Sequence, residues 1–104
     1  MAKVFTTENF QEEVINSEKL VLVDFSANWC GPCQMIGSVI EELAEELEGK
    51  VSVGKVNVDE NQELAQKYSV MSIPTIIVFK NGKQTGKVLG AVGKDQLLEL
   101  ISKA

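Results

Sequence analysis
The stretch that most limits what this chain can fold into runs from Leu20 to Cys33. Both alternating sets of Leu20–Ser26 (Val21/Val23/Phe25 and Leu20/Leu22/Asp24) are largely apolar, which predicts a central strand covered on both faces. Both cysteines of the chain follow at once, in Trp29-Cys30-Gly31-Pro32-Cys33. A periodic segment then begins, with Ile36, Val39, Ile40, Leu43 and Leu47 at helical spacing and glutamates between them. Cys30 therefore falls at a strand-to-helix junction. Unpaired N–H groups and the positive end of the helix dipole favour a thiolate there. Cys33 lies about one turn on, on the same side, where it can attack a mixed disulfide made by Cys30. Pro32 costs the first turn no hydrogen bond. The pattern points to thiol–disulfide exchange.

Other uses of the pair are weaker. Zinc usually takes four ligands, and the chain has no histidine and no second cysteine pair, so only a site shared between two chains would serve. A structural staple across two residues removes little unfolded-chain entropy. A net charge of −5 without a basic cluster argues against nucleic acid and anionic membranes. No run reaches membrane-spanning length or forms a signal-peptide core, so a reducing, cytoplasmic setting is the expectation. The 104 residues are expected to form one domain, 1–104.

Along the chain, Lys3-Val4-Phe5 reads as a short edge strand. Thr6 or Thr7 caps a helix through Phe10, Val14 and Ile15. Val51–Val58 is a strand, Glu60–Tyr68 a short helix with Leu64, Ala65 and Tyr68 inward, and Thr75–Lys80 a strand. Asn81-Gly82 predicts a tight hairpin into Lys83–Leu89, since both residues tolerate positive φ. Lys94–Ser102 closes the chain as a helix with Leu97, Leu98 and Ile101 inward. Strands alternating with helices, then a hairpin, predict an α/β fold with a central mixed sheet of about five strands and helices on both faces.

At this level of detail the chain resembles the thioredoxins along nearly its whole length. The likeness rests on Trp29-Cys30-Gly31-Pro32-Cys33, Asp24, Lys55, Ile73-Pro74-Thr75, Asn81-Gly82 and Gly90-Ala91. It implies the thioredoxin fold and a dithiol protein-disulfide reductase, monomeric and without a bound cofactor. Its partners would be a thioredoxin reductase and disulfide-containing target proteins. It also implies that Cys30 is the nucleophile and Cys33 the resolving thiol. Asp24 would be the base acting on Cys33 from behind. A carboxyl in a two-sided apolar strand is expected to have a raised pKa, which suits that work; the competing reading is a solvated strand-end acid. Lys55 would sit near Asp24, or else be an ordinary exposed strand lysine. Trp29 would form an apolar rim, with Gly31 and Pro32 supporting the pair. Ile73, a cis Pro74, Gly90 and Ala91 would form the groove for an extended substrate.

The chain departs from the family pattern at three places. Gln34 stands where many members carry Lys or Arg, and Ser26 where the residue is usually aromatic. Gly37-Ser38 replaces a proline that bends the long helix, and a Gly/Ser pair is expected to keep that bend. A glutathione-coupled redoxin and a binding module with incidental thiols are the competing functions. Nothing in the sequence identifies a glutathione site, and replacing both cysteines would separate the binding module from a redox protein.

Overall fold
The computed structural model describes residues 1–104. Its sheet is mixed and five-stranded, in the order β1-β3-β2-β4-β5. The strands are β1 (Lys3–Val4), β2 (Leu20–Ser26), β3 (Val51–Asn57), β4 (Thr75–Lys80) and β5 (Lys83–Leu89). β3 runs parallel to both β1 and β2, whereas β4 is antiparallel to β2 and β5. Three helices, α1 (Gly31–Glu46), α2 (Gln62–Lys67) and α3 (Lys94–Ser102), and a π-helical segment, Gln11–Ile15, complete the chain. The expected thioredoxin-type architecture is present.

The alternation read in β2 separates two cores. Val21, Val23 and Phe25 face one way and join Phe5, Phe10, Val14, Leu64 and Phe79. Leu22 faces the other way and joins Ile36, Ile40 and Leu43 of α1 and Leu97 of α3. Asp24, two residues beyond Leu22, points to this second face because strand side chains repeat every two residues. The sequence thus carries a carboxyl into an otherwise apolar layer beneath α1.

The bounds of β2, β4, β5 and α3 are those expected from the sequence. Asn81 and Gly82 have φ of 53° and 79°, as a tight hairpin requires. Elsewhere the structure corrects the reading. Thr6 Oγ1 accepts from the Asn9 N–H at 3.2 Å in the turn that leads into the first helical segment, whose own N-cap, Phe10, makes no side-chain cap bond. The segment then widens, with the Asn16 N–H donating to Gln11 O at 2.9 Å, an i→i+5 bond. The short helix begins at Gln62, after a turn in which Asn61 is buried. Asn61 Oδ1 accepts from the Thr7 N–H at 2.8 Å while its amide donates to Asn57 O at 3.0 Å. In α3 the inward side is Leu97, Leu100 and Ile101, with Leu98 exposed. Leu100 and Ile101, three and four residues on, flank Leu97 on one stripe of the helix, whereas Leu98 lies about 100° from Leu97 and off the edge of that stripe. α1 is α-helical throughout Gly31–Glu46, with Gly37 and Ser38 inside it.

Candidate active site
The turn from β2 into α1 holds the cysteines. Cys30 is extended (φ −90°, ψ 115°) and forms the N-cap of α1, a role usually filled by an oxygen-bearing side chain. Its sulfur accepts the Cys33 N–H at 3.2 Å, and its carbonyl accepts the Gln34 N–H at 3.2 Å. A negative charge developing on Cys30 would meet that donor and the helix dipole together. Gly31 and Pro32 occupy the exposed first turn. Cys30 and Cys33 are joined as a disulfide, with Cα atoms 5.2 Å apart. Both are buried, and they pack with Ala27 and Ile73.

The two sulfurs have different surroundings. Cys30 Sγ lies 3.9 Å from the carbonyl oxygen of Ile73, a contact and not a hydrogen bond, since the disulfide has no S–H. The Ile73–Pro74 peptide is cis. Pro74 O accepts the Gly90 N–H at 2.9 Å, which brings the end of β5 to the same loop. Gly90 has φ +91°, a conformation that glycine adopts without strain. Trp29 is 72% exposed, and its indole N–H donates to Asp59 Oδ2 at 2.8 Å. Asp59 was not legible as part of the site; its turn position in the sequence carries no sign of this partner. Met71 (93% exposed) and Met35 add further exposed apolar surface. Ala91 is exposed beside Gly90.

Behind the pair, a cavity of about 240 Å³ is lined by Asp24, Ser26, Cys33, Gln34, Gly37 and Lys55, among others. Asp24 is 1% exposed, and its Oδ1 has no hydrogen-bond partner. Burial raises its pKa from 3.8 to about 7, with the positive charge of Lys55 pulling the other way. Asp24 is therefore a buried acid, not a solvated strand-end one. Lys55 is its register neighbour across the β2–β3 ladder. The Lys55 ammonium, however, pairs with Glu41 of α1 at 3.4 Å. Lys55 thus acts on Asp24 through its field, without an ion pair. Gln34 donates from Nε2 to Asn28 O at 2.8 Å and ties the first turn of α1 to the loop before Trp29.

Comparison with known proteins agrees with this geometry. The thioredoxin family model matches residues 1–103. The chain belongs to the thioredoxin family. It is 47% identical over 104 residues to a thioredoxin of Rickettsia felis, covering 100% of this chain and 99% of that one. It is 48% identical over 98 residues to a thioredoxin of Chlorobaculum thiosulfatiphilum, covering 94% and 91%. To a thioredoxin of Griffithsia pacifica it is 52% identical over 95 residues, covering 91% and 87%. With the family shown and the Cys30–Cys33 pair formed, the chain is a protein-disulfide oxidoreductase of thioredoxin type with a redox-active disulfide. No helix is long and apolar enough to cross a membrane.

Proposed function
We propose that this thioredoxin is a dithiol electron carrier that reduces disulfides in target proteins. In the reduced form the Cys30 thiolate attacks one sulfur of the target disulfide, and the first target thiolate leaves. The Asp24 carboxylate takes the proton of the Cys33 thiol. The Cys33 thiolate then attacks Cys30 Sγ, expelling the second target thiolate and forming the Cys30–Cys33 disulfide. A thioredoxin reductase returns the two electrons. The observation that carries the assignment is the asymmetry of the pair. Cys30 caps the helix beside the Ile73 carbonyl, while Cys33 lines the cavity that contains Asp24.

The groove reading follows from the same geometry. Trp29 supplies an apolar rim. Ile73 and Gly90 supply backbone groups for an extended target segment, and Ala91 is small enough to let that backbone approach. Pro74 and Gly31-Pro32 hold these groups in place. Lys55 tempers the charge on Asp24 without neutralising it. We assign the chain to a single domain, 1–104, working as a monomer in the cytoplasm. A reducing compartment suits an exchanging disulfide.

The test is disulfide reduction by the whole protein, coupled in parallel to NADPH with thioredoxin reductase, to a ferredoxin-coupled reductase and to glutathione. Turnover with either reductase that far exceeds turnover with glutathione is expected. Full activity with glutathione alone would replace this reading with a glutathione-coupled one. Function retained after both cysteines are replaced would leave a binding module.

A further inference from the structure
We propose that Met71 and Met35 are modification sites at which hydrogen peroxide sets how tightly this protein holds its targets. Their conversion to sulfoxides weakens docking on the face formed by Trp29, Ile73 and Gly90, and it leaves the Cys30–Cys33 exchange intact. It rests on the reading of that face as the place where protein targets dock.

All three methionines of the chain are exposed, Met1 by 99%, Met35 by 74% and Met71 by 93%. None belongs to a hydrophobic cluster of the fold. An apolar side chain without packing partners adds nothing to the fold and suits a partner surface, and the flexible thioether adapts to partners of varied shape. Met1 borders the start of β3, at the opposite end of the sheet from the disulfide, which follows the end of β2.

Met71 is held outward by its neighbours. Val70 packs on the first core, and its N–H donates to Ala65 O at 2.8 Å. Thr75 Oγ1 donates to Ser72 O at 2.6 Å, and Ile73 packs against Cys30 and Cys33. The loop is fixed on both sides of Met71, which stands in solvent two residues from the carbonyl that touches Cys30 Sγ. Met35 follows Cys33 by two residues in α1. Cys33, Ile36 and Ile40 are buried, so Met35 lies on the outward side of the same turns.

The exchanging sulfurs are shielded where these thioethers are not. Cys30 and Cys33 are each 5% exposed and are joined to each other, so the disulfide form has no thiolate for a peroxide to attack. The thioether sulfur gives an electron pair to one oxygen of hydrogen peroxide. The O–O bond breaks, an S–O bond forms, and the second oxygen leaves as water with both hydrogens. Methionine is oxidised by two electrons and the peroxide is reduced by two. The product is a polar, chiral side chain, which methionine sulfoxide reductases restore. At the docking face, apolar contact is exchanged for a group that must be stripped of water.

The experiment treats the disulfide form of the whole protein with hydrogen peroxide and maps sulfoxide at each methionine by mass spectrometry. Dithiothreitol then reduces the cysteines, and turnover is measured with insulin as a protein disulfide and hydroxyethyl disulfide as a small one. KM for insulin should rise roughly fivefold, part of what burial of a methionine side chain supplies. kcat, the rate with hydroxyethyl disulfide and the thermal unfolding midpoint should not move, and a methionine sulfoxide reductase should return KM to its starting value. Met1→Leu should keep the full response. In the double variant Met35→Leu, Met71→Leu, KM should be the same before and after peroxide. An unchanged KM in protein oxidised at both positions, an equal rise in the double variant, or sulfoxide formed at Met1 but not at Met71 would overturn the proposal. Insulin left unreduced even by untreated protein removes the carrier function itself. Normal reduction with a KM indifferent to sulfoxide removes only the modification.

Discussion

On one side of the disulfide, Cys30 lies against the Ile73 carbonyl, follows the exposed Trp29 in sequence, and faces a loop tied through Pro74 to the left-handed Gly90. On the other, Cys33 meets a buried carboxyl, a lysine one strand away and a polar cavity. The front offers shape and backbone hydrogen bonds to a partner. The back offers little surface to a partner, yet it holds the group with the largest displacement of pKa in the chain. The contrast teaches that recognition and proton transfer are separated by the thickness of one disulfide. Each can therefore be damaged without the other.

The largest effect expected from that separation is all-or-none. Cys33→Ser should accumulate a mixed disulfide between Cys30 and a target, visible by mass spectrometry under non-reducing conditions. Cys30→Ser should accumulate none. A stable adduct formed only on Cys33 would exchange the roles of front and back.

The next effect belongs to the back alone. Below pH 3.8 the Asp24 carboxyl is protonated in both folded and unfolded chains, and it costs no stability. As pH rises from 3.8 to about 7 the unfolded chain releases this proton first, so stability falls; above that it levels off. A displacement of this size corresponds to about 4 kcal/mol. Asp24→Asn should remove the slope in this window and be more stable than the parent at pH 7. Urea unfolding from pH 4 to 8 measures both. Parallel curves for the two proteins would mean that Asp24 is hydrated.

The same substitution at two glycines sharpens the comparison. A Cβ would meet nothing within 4 Å at either Gly90 or Gly37. At Gly90 the positive φ decides, and Gly90→Ala should cost about 1–2 kcal/mol and weaken target binding. At Gly37, inside α1, helix propensity decides, and Gly37→Ala should add a little under about 1 kcal/mol. Thermal unfolding gives both signs, and two changes of equal sign would contradict the backbone argument.

What the sequence made legible followed from short-range pattern. The two-sided apolar run of β2, the Asn81-Gly82 turn and the cysteine spacing each act within a few residues, and they located the fold and the disulfide. What it hid depends on distances across the molecule. Nothing near Trp29 foretells Asp59, and nothing near Lys55 says that its ammonium turns to Glu41 and not Asp24. Asn61 looked like a helix residue because its partners, Thr7 and Asn57, are joined to it only by folding. The wide turn at Gln11–Ile15 was also hidden, since its composition suits an α-helix equally well. The shifted pKa of Asp24 was legible in direction, because a carboxyl in a strand covered on both faces loses its hydration wherever the covering helices lie.

The buried carboxyl of Asp24 also shapes how variants of this protein would fare under selection. Any screen that rewards survival on heating at neutral pH would favour replacement of Asp24, because few other single changes remove so large a cost. The winners would be hardier molecules that finish each exchange slowly. A library sorted for robustness alone would therefore drift away from catalysis at its first step, and one sorted for turnover would hold the molecule below the stability its fold allows.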